Sequence, residues 1–298
     1  MKLAAVDIGS NAIRFQITNI IEYKGSITFK KLEYVRFPLR LGHDVFTHGK
    51  IGLTNRSKFL KLMHAFQLLI DLYEVDDYMI CATSAMREAQ NGKDIADRVK
   101  KKYGLEINII SGKKEASIIN KAIYKSLDEN PYLHIDVGGG STELNLYREK
   151  EKIASRSFKL GSVRRLEHHD SPKIWKRMEE WIKEHIDDSY DGITAVGTGG
   201  NINKIFDLAL AKPGKTISLN KVIDIKDAIA KHGLEERIFV LQLNPDRADV
   251  IIPASEIYIA CMEWSGCKRI MVPDVGLKDG ILQELYLKNK PQEYTPFP

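Results

Sequence analysis

The chain has 298 residues, a formal net charge of +5, 43% hydrophobic residues and 29% charged residues. This length predicts two domains, because single domains usually comprise roughly 100–200 residues. The composition is typical of a folded globular protein, and so mild a positive charge argues against nucleic-acid binding, although it would help to attract a polyanionic substrate.

The cysteines and the N-terminus indicate where the protein works. Cys81, Cys261 and Cys267 are odd in number and form no CxxC pair, which argues against a disulfide framework or a zinc site. The first apolar run ends at Asp7, which is too early for a signal peptide, and no window approaches the roughly 20 apolar residues of a membrane span. We therefore expect a cytoplasmic protein without a membrane partner.

The first half of the chain predicts a strand, a glycine-containing turn, two strands joined by a polar turn, an amphipathic helix and an apolar strand. These elements cover Leu3–Val6, Asp7–Asn11, Ile13–Ile21, Ile27–Tyr34, Asn55–Tyr73 and Tyr78–Ala82.

The second half repeats this order of elements, which indicates an ancient duplication of one α/β unit. Its predicted elements cover Tyr132–Ile135, Asp136–Ser141, Glu143–Tyr147, Ile153–Phe158, Pro172–Asp187 and Ile193–Gly197. We place the hinge near Leu127–Tyr132, where Pro131 breaks the preceding helix. The predicted domains are residues 1–126 and 127–283, and the tail at about 284–298 is a candidate to pack back on the first domain.

The run DVGGGSTE at Asp136–Glu143 is the strongest candidate binding motif. Three glycines and a serine after a buried strand let backbone amides converge on an anion, so Gly138, Gly139, Gly140 and Ser141 are predicted to bind phosphate. Asp136, at the end of the strand, could hold a divalent cation through water, since Mg²⁺ keeps much of its hydration shell.

The first copy, DIGSNAIR at Asp7–Arg14, has fewer glycines. Ser10 and Asn11 can donate side-chain hydrogen bonds, and Arg14 can pair with phosphate or brace the turn. Two such turns in duplicated halves suggest one polyphosphate chain that is held from both sides.

Three further segments carry candidate residues. Gly197 and Gly199 lie in a turn that opens a helix, an arrangement that suits anions but also close packing of a helix on a strand. Arg87 follows small residues that would let it reach a phosphate, although it could equally be a solvated arginine. Glu115 is predicted in a first helical turn, where it is either catalytic or a capping residue.

Eight motifs together resemble the exopolyphosphatase and guanosine pentaphosphate phosphatase family, and they span nearly the whole chain. They are DIGSNAIRF at 7–15, ATSAMREA at 82–89, SGKKEA at 111–116, DVGGGSTEL at 136–144, LGSVRRL at 160–166, VGTGG at 196–200, RADVIIP at 247–253 and GLKDGIL at 276–282.

The resemblance implies an α/β fold of two duplicated ribonuclease H-like (actin-like ATPase) domains. Each would contain a mixed five-stranded sheet with flanking helices, and the active site would lie in the cleft between the domains. Because the chain ends at Pro298, it resembles the short two-domain members of the family.

The resemblance also implies residue roles and a reaction, the Mg²⁺-dependent attack of water on a terminal phosphate of polyphosphate or guanosine pentaphosphate. Glu115 resembles the general base, and Glu143 is a second catalytic carboxylate. Asp7, Asp136 and Glu143 look like the residues that organise Mg²⁺ or another divalent cation, and Arg87 resembles a phosphate contact. A homodimer is a further expectation from such families.

Three departures from the family pattern are Ser117 in place of arginine, Ala12 in place of serine and Ala254 in place of glycine. Two alternatives therefore stay open. One is a kinase or ATPase of the same fold class, which shares both turns but does not account for Glu115. The other is a weakly active protein that binds polyphosphate or an alarmone.

Overall fold

The computed structural model describes residues 1–167, 169–211 and 215–290. The first half forms a mixed sheet in the order β3-β2-β1-β4-β5, with β1 antiparallel to β2 and parallel to β4. Its elements are β1 (Lys2–Ile8), β2 (Ile13–Tyr23), β3 (Ser26–Phe37), α1 (Leu41–His48), α2 (Leu53–Leu72), β4 (Asp77–Ala82), α3 (Ser84–Glu88), α4 (Gly92–Tyr103), β5 (Ile107–Ile109) and α5 (Gly112–Ile123).

The second half forms another mixed sheet, in the order β10-β11-β9-β6-β7-β8. Its elements are β6 (Tyr132–Val137), β7 (Thr142–Arg148), β8 (Glu151–Phe158), α6 (Ser162–Leu166), α7 (Pro172–His185), β9 (Thr194–Thr198), α8 (Gly200–Leu208), β10 (Thr216–Ser218), α9 (Leu219–Ala230), α10 (Leu234–Phe239), α11 (Pro245–Ala248), α12 (Ile251–Ser265), β11 (Arg269–Met271) and α13 (Leu277–Asn289).

The predicted duplication is visible in the two sheets, because β8-β7-β6-β9-β11 repeats the order and the strand directions of β3-β2-β1-β4-β5. The prediction of five strands in each sheet is wrong for the second sheet, which has a sixth strand, β10, at its edge. This strand has three residues and buries only Ile217, so it is too short to produce an alternating pattern of polar and apolar residues.

The predicted helices and strands exist, but several of their ends differ. The first long helix begins at Leu53 rather than Asn55, and the helix from Pro172 ends at His185 rather than Asp187. The last β-hairpin turn is tighter than predicted, because β8 begins at Glu151. No helix within the described ranges is long and apolar enough to cross a lipid bilayer.

A shared hydrophobic cluster joins the two halves of the molecule. It combines α5 and α13 with residues from both sheets, including Leu3 and Ala5 of β1 and Tyr147 and Val196 of the second sheet. Helix α13 packs against α5, β1, β2 and β4 of the first half. The C-terminal segment that packs on the first half therefore begins at Leu277, earlier than the tail predicted from about residue 284. Residues 291–298 of that tail lie outside the described part of the chain.

Candidate active site

The two glycine turns are closed by equivalent backbone hydrogen bonds. The amide of Gly9 donates to the carbonyl oxygen of Ala12 at 3.2 Å, and the amide of Gly138 donates to that of Ser141 at 2.9 Å. In both hairpins the turn follows a buried strand and starts the antiparallel partner. The sequence repeat therefore corresponds to a repeat of local geometry.

The two turns also contact each other. A Cβ on Gly139 would lie 2.8 Å from Cβ of Ser10 and 3.3 Å from the amide nitrogen of Asn11. Only a glycine permits this approach, which brings both turns to one cleft. The predicted site residues that line the cleft are Asp7, Ser10, Asn11, Arg14, Glu115, Asp136, Gly138, Gly139, Ser141 and Gly199.

Glu115 lies in the first turn of α5, as the sequence predicts, but it does not cap the helix. The hydroxyl of Ser111 performs that role by accepting a hydrogen bond from the amide of Lys114. The Glu115 side chain is buried, and its Oε2 has no hydrogen-bond partner among the described residues. Burial, followed by repulsion from Glu143 and Asp136, raises the pKa of this carboxyl well above its ordinary value.

Glu143 lies behind the cleft wall rather than in it. Its Oε1 accepts hydrogen bonds from the hydroxyls of Ser141 at 2.7 Å and Ser157 at 2.9 Å, and the residue is 1% exposed. Burial raises its pKa, while the two hydroxyls act in the opposite direction. Ser157, on β8, was not predicted, because a serine in an exposed edge strand carries no sequence signal of its own.

Asp136 is the penultimate residue of β6 and lines the cleft. The hydroxyl of Thr198 donates to its Oδ1 at 2.8 Å, which fixes one carboxylate oxygen. Burial, and then repulsion from Glu143, raises its pKa to about 7. The carboxyl group therefore changes charge near neutral pH.

This shift predicts how the stability of the metal-free protein depends on pH. The ordinary pKa is 3.8 and the folded value is about 7, so the folded state keeps a proton that the unfolded chain releases. The resulting stabilisation is complete below the unfolded pKa and is lost as the pH rises through the folded pKa. We expect the melting temperature in EDTA to fall more steeply between about pH 4 and pH 7 for the wild type than for Asp136→Asn. Parallel profiles for the two proteins would contradict this assignment.

Arg14 braces the first turn. Its Nη1 lies 3.0 Å from Oδ2 of Asp7, and burial raises the pKa of Asp7 while the guanidinium opposes the shift. Of the two roles that the sequence left open for Arg14, the structure shows the bracing contact, although the side chain also lines the cleft.

Asn11 and Arg87 have protein partners that the sequence did not reveal. The Asn11 side-chain amide donates to the backbone oxygen of Asp246 at 2.8 Å, so it ties the first turn to the other half of the molecule. Nη1 of Arg87 donates to the carbonyl oxygen of Ile110 at 2.7 Å and lies 3.8 Å from Oε2 of Glu115. Arg87 is therefore beside Glu115 but is not part of the cleft lining.

Two glycines predicted to bind phosphate lie outside the cleft. A Cβ on Gly197 would lie 2.8 Å from Cδ1 of Ile270, so this glycine allows close packing. Gly140 is buried against Ser84 and Phe46. The phosphate-binding role of these two glycines stays a prediction. Gly199, in contrast, lines the cleft with a φ of +118°, a conformation that side chains rarely adopt.

The three departures from the family pattern occupy different places. Ala12 lines the cleft, Ala254 is fully buried in α12, and Ser117 lies on α5 outside the cleft lining. Among the described residues, no group of three His, Cys, Asp or Glu side chains could by itself hold a metal ion.

The cleft lining also includes residues that the sequence analysis did not select. They are Tyr34, Asn203, Asp274 and Lys278. Lys278 belongs to the GLKDGIL motif, so the motif itself was a signal, but nothing in its sequence indicated that the lysine lines the cleft.

The fold and the cleft define the class of the protein. It has two actin-like α/β domains, which face each other across an acidic cleft lined by glycine turns. The model of the Ppx/GppA phosphatase family matches residues 20–289. The chain belongs to the Ppx/GppA phosphatase family.

Curated relatives and a solved structure agree with this assignment. A bifunctional 3-dehydroquinate synthase/phosphatase of Fusobacterium nucleatum is 29% identical over 91% of this chain, which spans only 44% of that protein. Exopolyphosphatase 1 of Mycobacterium tuberculosis is 22% identical over 95% of this chain and 87% of its own length. The crystal structure of the Aquifex aeolicus family member is 25% identical, covers 97% of this chain and 99% of its own, and has a TM-score of 0.76.

The name of a third relative includes a nucleotide. It is the guanosine-5'-triphosphate,3'-diphosphate pyrophosphatase of Aeromonas hydrophila, which is 24% identical over 96% of this chain. The chain spans 60% of that protein.

Proposed function

We propose that the protein hydrolyses the terminal phosphoanhydride bond of inorganic polyphosphate, of guanosine pentaphosphate, or of both. Membership of the Ppx/GppA family and the names of the relatives support this class of substrate. The observation that carries the proposal is the buried Oε2 of Glu115, which has no hydrogen-bond partner among the described residues and lies in a cleft formed by two facing phosphate-type turns.

The backbone of the two turns would bind the terminal phosphate. Free amides in glycine turns can bind an anion without adding a negative side chain, and Gly139 and Ser10 bring the two turns into contact. Because the substrate would be gripped from both sides, the terminal phosphorus would be fixed relative to Glu115. Such positioning is a large part of catalysis in phosphoryl transfer.

Glu115 would act as the general base. Its Oε2, which has no hydrogen-bond partner among the described residues, can accept a proton from a water molecule as the oxygen of that water bonds to the terminal phosphorus. The bridging P–O bond breaks at the same phosphorus, and its electrons leave with the shortened chain. Arg87, 3.8 Å away, would favour the ionised form of Glu115 that this step requires.

A divalent cation fits the acidic character of the cleft. After burial, repulsion from Glu143, Asp136 and Asp7 raises the pKa of Glu115, and repulsion from Glu143 and Asp7 raises that of Asp136; a bound cation would relieve this repulsion. We propose that Asp136 and Asp7 hold the ion, with Glu143 orienting the site from behind. Mg²⁺ needs only one or two carboxylates together with water and substrate oxygens. The ion would neutralise the charge on phosphate.

Removal of metal tests this part of the proposal. We expect phosphate release from polyphosphate and guanosine pentaphosphate to require Mg²⁺ and to stop in excess EDTA, because the carboxylates alone repel an anionic substrate. The measurement is release of inorganic phosphate, with activity restored by added Mg²⁺ as the control. Full activity in EDTA would exclude the metal, and transfer of phosphate to a sugar without release would favour the kinase alternative.

A further inference from the structure

One face of the second sheet carries a row of polar side chains that the hydrolytic step does not use. His134 on β6 lies opposite Asn145 on β7, and Asn145 lies opposite Ser155 on the edge strand β8. Because side chains alternate between the two faces of a strand, His134 shares its face with Asp136, two residues further along β6. The row therefore extends from the edge of the sheet towards a carboxylate that lines the cleft.

An unbroken series of hydrogen bonds joins these side chains to Asp136. The hydroxyl of Ser155 donates to Oδ1 of Asn145 at 2.7 Å, and the amide nitrogen of Asn145 lies 2.9 Å from Nδ1 of His134. Nε2 of His134 lies 2.9 Å from the hydroxyl oxygen of Thr198, and this hydroxyl donates to Oδ1 of Asp136 at 2.8 Å. The series thus connects the edge strand with the cleft through the interior of the second domain.

The direction of the hydrogen bonds at His134 follows from the chemistry of its two partners. The amide nitrogen of Asn145 can only donate, so Nδ1 of His134 accepts and the ring proton lies on Nε2. Thr198 has a single hydroxyl proton, which it donates to Asp136, so its oxygen accepts from Nε2 of His134. Because the ring occupies the oxygen of Thr198, the hydroxyl proton stays directed at the carboxylate.

Burial makes this arrangement stiff. His134 and Asn145 are fully buried, and Thr198 is nearly so. Buried polar groups are costly unless they are hydrogen-bonded, and here both ring nitrogens and both amide atoms have partners. A rotation of any one member would leave another without its partner in a region of low dielectric constant. The network therefore holds Oδ1 of Asp136 in place, whereas Oδ2 accepts no hydrogen bond from the described residues.

We propose that His134 is a positioning residue for the divalent cation and acts through Thr198 on Asp136; this inference rests on the proposed function. A carboxylate that is already oriented loses less freedom when a cation binds, so the affinity rises without an added charge. Groups that hydrogen-bond to metal ligands typically change metal affinity by roughly 10- to 100-fold. His134 itself contacts neither the cation nor the substrate.

The test measures binding of Mn²⁺ to the metal-free protein, with the free ion detected by electron paramagnetic resonance. Mn²⁺ prefers the same oxygen ligands as Mg²⁺. We expect His134→Leu to raise the Kd for Mn²⁺ by roughly 10- to 100-fold, because leucine has no donor for Thr198. His134→Gln should restore most of the affinity, because its side-chain amide can donate at the place of Nε2.

Thr198→Val shows whether His134 acts through Thr198. It should raise the Kd for Mn²⁺ at least as much as His134→Leu does. The double variant should bind no more weakly than Thr198→Val alone, because His134 has no hydroxyl to orient once Thr198 is replaced. Losses of affinity that add up in the double variant would overturn the proposed route.

Tyr147→Phe is the matched control for a purely structural effect. Tyr147 lies on the same face of β7 as Asn145, is fully buried and donates to Oδ1 of Asn120, outside the series that reaches Asp136. This variant should melt at a lower temperature than the wild type and keep the wild-type Kd for Mn²⁺. A structural role of His134 would give His134→Leu the same behaviour.

A second variant covers the case in which His134→Leu does not fold, since this change leaves the amide of Asn145 without its partner. The paired variant His134→Leu/Asn145→Leu replaces both polar groups by apolar ones, which is tolerated better than the loss of one partner. A wild-type Kd for Mn²⁺ in either variant, with a wild-type protein that releases phosphate, would overturn the inference and leave the proposed function intact. A wild-type protein that releases no phosphate from polyphosphate or guanosine pentaphosphate would instead contradict the proposed function.

Discussion

Glu115→Gln should lower kcat by roughly 10²- to 10⁴-fold, which is the usual contribution of a positioned general base. Glutamine keeps the shape of the side chain but cannot take a proton from water. The KM should stay level or fall, because an amide repels an anionic substrate less than a carboxylate does. The measurement is steady-state release of phosphate from polyphosphate and guanosine pentaphosphate in Mg²⁺.

Thermal stability distinguishes the general-base role of Glu115 from a purely structural role. Ser111 already caps α5, and burial followed by repulsion from Glu143 raises the pKa of Glu115, so the folded state disfavours the ionised carboxylate. Glu115→Gln should therefore melt at the same or a higher temperature than the wild type. Glu106→Gln, at an exposed glutamate, is the matched control and should alter neither property. A Glu115 variant that melts lower and keeps near wild-type turnover would refute the general-base role.

Gly280→Ala should destabilise the protein by about 1–3 kcal/mol, the usual cost of overpacking. Intrinsic helix propensity predicts the opposite sign, since alanine is favoured over glycine by about 1 kcal/mol inside a helix. The structure reverses this expectation, because a Cβ on Gly280 of α13 would overlap the backbone carbonyl oxygen of Ile118 in α5. Backbone cannot rotate away as a side chain can, so the two helices must move apart.

The same substitution should also reduce kcat, because α5 carries Glu115 one turn before Ile118. A displacement of about 1 Å can cost roughly 10²-fold in rate. Thermal denaturation and phosphate release measure the two effects. Gly233→Ala is the matched control, since its Cβ would meet nothing closer than 3.8 Å and its φ of −65° suits alanine. An unchanged or raised melting temperature for Gly280→Ala would show that the contact between the helices is loose.

Local patterns determined much of the architecture. The alternation of apolar residues in Ile13–Ile21, the glycine turns after buried strands and the repeat of this order were sufficient to predict two related α/β units. The position of Glu115 in a first helical turn also followed from its immediate neighbours. Such features depend on side-chain periodicity and backbone freedom over a few residues, and both can be recognised directly in the sequence.

Only the tertiary structure decided which candidate side chains meet. Asn11 donates to Asp246 and Arg14 pairs with Asp7, while Gly197 packs against Ile270 instead of facing the cleft. The local sequence does not indicate such partners, because the residues around an amide or a glycine look the same whether it faces a ligand or another part of the protein. Tyr34 of β3 likewise lines the same cleft as Lys278 and Asn203 only because the fold brings α13 and α8 to the side of β3. The sequence thus determined the turns and the elements that carry them, whereas three-dimensional packing decided which of their atoms remain free to bind a ligand.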